Sequence, residues 1–183
     1  AYHRAMELMD LESLRDLPES GYERAIRARI DAMVACGRME DIQREAVSVR
    51  SIARFFKSEI GSRLLRAQEV RREWSFNVLM RMCEALMEDE SAAADADGEI
   101  LVQGTIDCCF IENDGWVLLD YKTDRETDAA ALTDRYAGQL RLYALALERI
   151  TGLPVREIAL ILLRSGETVH IELPAPPVDV EMI

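Results

Sequence analysis

The spacing of apolar positions divides the chain into two stretches of different period. Residues 1–11 place Ala5, Leu8, Met9 and Leu11 at helical intervals, and Pro18-Glu19-Ser20-Gly21 interrupts the pattern. Residues 22–36 resume it with Ile26, Ile30, Met33 and Val34 on one face, and Gly37 stands where a helix C-cap is expected. Residues 40–46, 49–57 and 59–67 predict three more short helices, the last two parted near Ser58. The period then falls to two. Residues 74–78, 100–111 and 116–122 predict strands, with Glu112-Asn113-Asp114-Gly115 as a hairpin turn. Residues 130–151 predict a long helix with Leu132, Tyr136, Leu140, Tyr143, Leu147 and Ile150 in one stripe, ended by Gly152. Residues 155–164 and 168–173 predict a second hairpin around Ser165-Gly166-Glu167, and the following Pro174-Ala175-Pro176-Pro177 cannot continue a central strand. Between the first two strands, residues 84–99 hold seven acids and no base, and the later part reads as a loop. The element order implies an α/β sandwich around a small mixed sheet. One domain is expected over residues 1–183, mainly helical in 1–70 and sheet-containing in 71–183.

Composition narrows the function. Hydrophobic residues make up 49% and charged residues 31%, a globular balance. The net charge of −12 argues against a protein that coats nucleic acid by neutralising phosphates, and leaves room for one that touches it through a small site. The longest aliphatic run, 158–163, is too short to cross a bilayer, and no export signal opens the chain. Cys36, Cys83, Cys108 and Cys109 form no CxxC pair and no disulfide spacing, so a reduced, cytoplasmic protein without membrane partners is expected. Of 22 basic residues only Lys57 and Lys122 are lysines, so a lysine within a motif carries weight. The basic surplus over residues 38–72, nine bases to five acids, reads as a solvated helical face.

The chemistry gathers on the first hairpin. Side chains alternate between faces along a strand, so parity decides which residues meet. A two-residue turn at Asn113-Asp114 sets Asp107 opposite Asp120; one at Asp114-Gly115 sets it opposite Lys122. Both put Asp107, Asp120 and Lys122 on one face, with Ile106, Cys108, Phe110, Val117, Leu119 and Tyr121 as the buried reverse. Cys108 and Cys109 are expected on opposite faces, Cys109 as a packing residue, and His170 as a solvent-facing strand residue. Facing carboxylates about 5 Å apart repel one another, and a divalent cation between them turns that repulsion into coordination. Hard oxygen ligands suit Mg²⁺ or Mn²⁺ better than zinc. An ammonium two residues away completes the equipment for phosphodiester hydrolysis.

Gly104-x-x-Asp107, Asp120-Tyr121-Lys122-Thr123-Asp124 and Gln139-x-x-x-Tyr143 together resemble the RecB-type nuclease domain of the PD-(D/E)XK superfamily, most closely the C-terminal nuclease domain of AddA-type helicase–nucleases. The opening His3-Arg4-Ala5-Met6-Glu7-Leu8 is similar to the family's metal-binding histidine helix. The resemblance implies a restriction-endonuclease-like fold and an Mg²⁺-dependent exonuclease of double-strand-break repair. His3, Asp107, Asp120 and the Tyr121 carbonyl would hold the metal, Lys122 would be the catalytic lysine, and Gln139 and Tyr143 would steady it or meet the DNA backbone. The implied partners are DNA, the helicase domains of a longer parent chain and an AddB-like subunit. The cysteines lack the four-ligand pattern of iron–sulfur relatives, and no G-x-x-x-x-G-K-[ST] marks an ATP site, so neither group is expected. The alternative is a catalytically inactive nuclease fold kept for DNA binding or for assembly with a partner.

Overall fold

The computed structural model describes residues 1–85, 98–123 and 128–173. Six helices come first: α1 (Tyr2–Glu7), α2 (Leu11–Arg15), α3 (Tyr22–Ala35), α4 (Asp41–Glu45), α5 (Val49–Lys57) and α6 (Glu59–Arg66). Then follow β1 (Val70–Arg81), α7 (Met82–Ala85), β2 (Glu99–Glu112), β3 (Gly115–Lys122), α8 (Ala129–Thr151), β4 (Val155–Leu162) and β5 (Glu167–Ile171). The strands form one mixed sheet in the order β1-β2-β3-β4-β5, parallel only between β3 and β4, where α8 makes the crossover. This is the α/β architecture expected from the sequence. Most of residues 84–99, with the 174–177 tail, lies outside the described residues, as does Asp124.

Local chemistry sets the boundaries. The first predicted helix is two: Asp10 accepts the Ser13 amide at 3.1 Å, caps α2 and breaks the run after Glu7. Gly37 (φ +72) and Gly152 (φ +72) take the left-handed conformation after α3 and α8. Ser58 closes α5 and opens α6, accepting the Gly61 amide at 3.2 Å. β1 is longer than its alternation suggests, because it pairs with β2 from Val70 to Arg81.

The sheet separates two cores. On one side α1–α6 pack Ile26, Ile52, Phe55, Phe56 and Leu64 against Cys108, Phe110, Leu119 and Tyr121. On the other, α8 packs Leu132, Leu140 and Leu147 against Leu118, Ile158 and Leu160. β1 and β2 change allegiance part-way. Val70 and Arg72 face the helical layer, whereas Trp74, Phe76 and Met80 face α8. β2 switches likewise: Ile106 packs toward α8 and Cys108 toward the helices. The expectation that Ile106 shares a face with Cys108 is therefore corrected; the pleat breaks at Asp107 and at Glu73 (φ +48), the one position on each strand that the pairing skips. Beyond the switch the side of the ribbon away from α8 carries matched polar pairs, Ser75 with Thr105 (3.1 Å) and Asn77 with Gln103 (2.7 Å).

One ion network ties the layers together. Arg63 on α6 donates to Glu112 at the end of β2 (2.6 Å) and to Glu157 on β4 (2.7 Å), spanning β3. Arg63→Met should lower unfolding free energy by about 2 kcal/mol, because it strands two half-buried carboxylates beside one another. Urea unfolding checks this; an unchanged midpoint would show the network to be ornamental.

Candidate active site

The site forms where β2 parts from β3. Asn113 (φ +49) and Asp114 (φ +60) both adopt positive φ, the signature of a two-residue type I′ turn. That selects the first of the two registers: Glu112 pairs with Gly115, and the ladder runs to Cys108 opposite Leu119. One step further Asp107 and Asp120 would face each other, but the ladder ends there. Asp107 Oδ2 instead accepts the Tyr121 amide at 2.8 Å, closing the fork with a side chain.

Four elements supply the polar groups. His3 on α1 sets Nε2 3.2 Å from Asp107 Oδ2. Its helix is tethered by Arg72, which donates to the Met6 and Met9 carbonyls at 3.1 and 2.7 Å, and by Arg29, which donates to the Leu8 carbonyl at 2.9 Å. On β3, Lys122 Nζ lies 2.7 Å from Asp120 Oδ2 and 4.1 Å from the centre of the Tyr136 ring on α8. Asp120 and Lys122 side chains are only 14% and 18% exposed, so the pair works in a partly dry setting. Asp120 Oδ2 has no solvent contact and takes no well-directed hydrogen bond; Lys122 compensates it as a close ion pair.

Burial, then the charge on Asp107, raise the Asp120 carboxyl above its ordinary range against the pull of Lys122. The bond to Asp107 raises His3 despite partial burial. Glu73 is raised by burial and again by Asp107. It lies between the pairs Arg72–Cys108 and Trp74–Ile106, as Asp107 does on β2, and is the acid that sequence reasoning missed. The available signal was its place just before the predicted strand; pairing that strand back along β2 would have brought Glu73 to Asp107.

Gln139 and Tyr143 pair with each other on α8. The Gln139 amide donates to the Tyr143 hydroxyl at 3.2 Å, and the Tyr143 ring stands edge-on to Phe76 with centroids 5.1 Å apart. Gly104 explains the approach, since a Cβ there would fall 2.6 Å from the Tyr143 ring. Among the described residues neither side chain hydrogen-bonds to Lys122; Tyr136 is the aromatic group against it. Cys108 and Cys109 enter opposite cores, and burial pushes the Cys108 thiol up to about 12 and Cys109 further, so neither offers a thiolate. His170 is exposed on β5, with Nδ1 3.2 Å from Glu157.

A scan of the whole chain against protein families matches the PD-(D/E)XK nuclease superfamily over residues 1–180. The chain belongs to that superfamily. It is 37% identical over 94% of its length to an ATP-dependent helicase/nuclease subunit of Clostridium acetobutylicum, and 41% over 80% to the corresponding protein of Alkaliphilus metalliredigens. The helicase/nuclease subunit of Desulforamulus reducens is 34% identical over 93% of the chain. These alignments cover 14%, 12% and 13% of the relatives' own lengths, so the chain spans a small part of each. Leu119, just before Asp120, is fully buried under the helical layer, where a branched apolar side chain fills the core and keeps its ladder amide.

PD-(D/E)XK nucleases generally use divalent metal ions. Among the described residues no three His, Cys, Asp or Glu side chains are arranged to hold a metal ion; Asp107 meets His3 and Asp120 meets Lys122 instead. The donor set nevertheless fits a hard dication. Two carboxylates repel each other at the fork, and one buried oxygen of Asp120 lacks a directed donor. Among the described residues no helix is long and apolar enough to cross a membrane.

Proposed function

We propose that the chain is a metal-dependent deoxyribonuclease module that hydrolyses DNA phosphodiester bonds as an exonuclease, working within a longer helicase–nuclease that processes double-strand breaks with an AddB-like partner. The observation that carries this reading is the meeting of His3, Asp107, Asp120 and Lys122 at the β2–β3 fork within a nuclease-superfamily chain. Asp107, Asp120, His3 and the Tyr121 carbonyl would hold Mg²⁺, with Mn²⁺ as a substitute. When bound, the cation supplies Lewis acidity, lowering the pKa of a water and offsetting charge on a phosphoryl oxygen.

The chain's own groups do the rest. Asp107 spans the fork by accepting from Tyr121 and meeting His3, so one carboxylate fixes the relative positions of α1, β2 and β3. Lys122 presents an ammonium whose positive charge offsets what builds up on the phosphate during attack. Gln139 and Tyr143, which bond to each other beside the β1–β2 ribbon, would meet the DNA backbone. The −12 charge fits a module to which a helicase delivers the DNA.

The test is cleavage of end-labelled linear DNA by the purified chain at low salt with Mg²⁺ or Mn²⁺, alongside calorimetric titration of each ion. Shortening of the DNA that stops on chelation is expected, with metal binding lost in Asp107→Ala. DNA that is retained on the protein but left intact would favour the inactive binding module.

A further inference from the structure

We propose that Tyr136 is the positioning residue for Lys122, its ring holding the ammonium beside Asp120 with one face left open toward substrate; the proposal rests on the nuclease reading above. Lys122 Nζ stands 4.1 Å from the ring centroid, well inside cation–π range. An ammonium has three N–H groups. One side is taken up by Asp120 Oδ2 at 2.7 Å and another by the ring, which leaves the remainder for a phosphate or a water.

The ring is a fixed wall. Leu132 and Leu140, one helical turn to either side of it on α8, are buried at 0% and 1% exposure, so the helix cannot roll without opening the core. The lysine stem, by contrast, has four rotatable bonds and two acids near its root, Asp120 and Asp107. Without the ring the ammonium, already paired with Asp120, is free to move on toward Asp107, where it no longer faces the phosphate. An aromatic face resists this because it attracts the cation without supplying a competing anion. The Arg135 guanidinium carbon lies 5.8 Å from the same ring centroid, a second cation drawn to it.

The chain has only two lysines, which makes the geometry directly readable. In the ¹³C-lysine-labelled protein, the ε-methylene signal of Lys122 should be displaced upfield by the ring current relative to exposed Lys57. The displacement should survive Tyr136→Phe and vanish in Tyr136→Leu and Tyr136→Met. In DNA cleavage, the Leu and Met variants should lose about tenfold in kcat with KM and melting temperature near those of the parent, and Phe should restore the rate. Coincident Lys122 and Lys57 signals in the parent would overturn the proposal. So would Leu and Met variants that cut at the parental rate, or a Phe variant as slow as both, which would assign the effect to the hydroxyl. A parent chain that leaves DNA intact while Lys122 stays displaced overturns the nuclease reading and with it the ring's catalytic purpose. Parental cleavage with indifferent Leu and Met variants overturns the role of Tyr136 alone.

Discussion

Asp120→Asn is expected to slow DNA cleavage by about a thousandfold or more while leaving the chain at least as stable as its parent. The loss follows from exchanging a charged oxygen at the fork for a neutral amide, which holds a dication poorly. The stability follows from the sign of the titration. Burial and the neighbouring Asp107 raise the Asp120 carboxyl in the folded chain, so folding favours the protonated form. The charged group therefore costs stability above its folded pKa, and the cost disappears as pH falls below the ordinary carboxylate value. Asparagine mimics the protonated state at every pH. Thermal melts should show the variant level with or above the parent at neutral pH, converging with it in acid. A variant that melts well below the parent at neutral pH would make the Asp120–Lys122 pair a structural tie.

Gly61→Ala should be the most damaging small substitution in the helical layer, costing about 3 kcal/mol of unfolding free energy. Gly61 sits in the first turn of α6, immediately after the Ser58 elbow, and is buried. A Cβ at that position would collide with the Phe55 carbonyl oxygen and come within 2.8 Å of the Phe56 Cα. Both are backbone atoms, so no rotamer change relieves the clash and α6 must swing away from α5. The elbow carries Phe55, Phe56, Ile60 and Leu64 into the core, and the Phe55 ring stands edge-on to Tyr121 with centroids 5.8 Å apart. Disturbance there reaches the strand that bears Asp120 and Lys122. Urea unfolding measures the cost; a variant within about 1 kcal/mol of the parent would mean that the elbow yields easily.

The hairpin, the long helix and the element order were legible in the sequence because each is local. Asn113-Asp114 selects its own turn, and the Leu132–Leu147 stripe repeats at helical spacing over several turns. The shared side of Asp120 and Lys122 followed from parity within β3, whereas Asp107 meets β3 through the Tyr121 amide, beyond the end of the ladder. What the sequence concealed depends on partners remote in the chain. Glu73 joins the acids only because β1 extends back beyond Trp74 to pair along β2. Ile106 changed sides because parity assumes an unbroken pleat, and the pleat breaks at Asp107. Tyr136, at an ordinary stripe position, gains a cation only once the β3–β4 crossover lays α8 over Lys122.

The change of face shared by β1 and β2 also bears on how the ribbon finds its alignment. In an ordinary antiparallel ribbon, a slide of two residues returns every side chain to its own face and so goes unpunished. Here such a slide would set Glu73 opposite residue 105 or 109, throwing the two reversals out of step. Apolar side chains from one strand would then stand over polar ones from the other. The residue-73/107 crossing thus acts as a proofreading mark, admitting one alignment of the ribbon, the one that brings both acids to the fork.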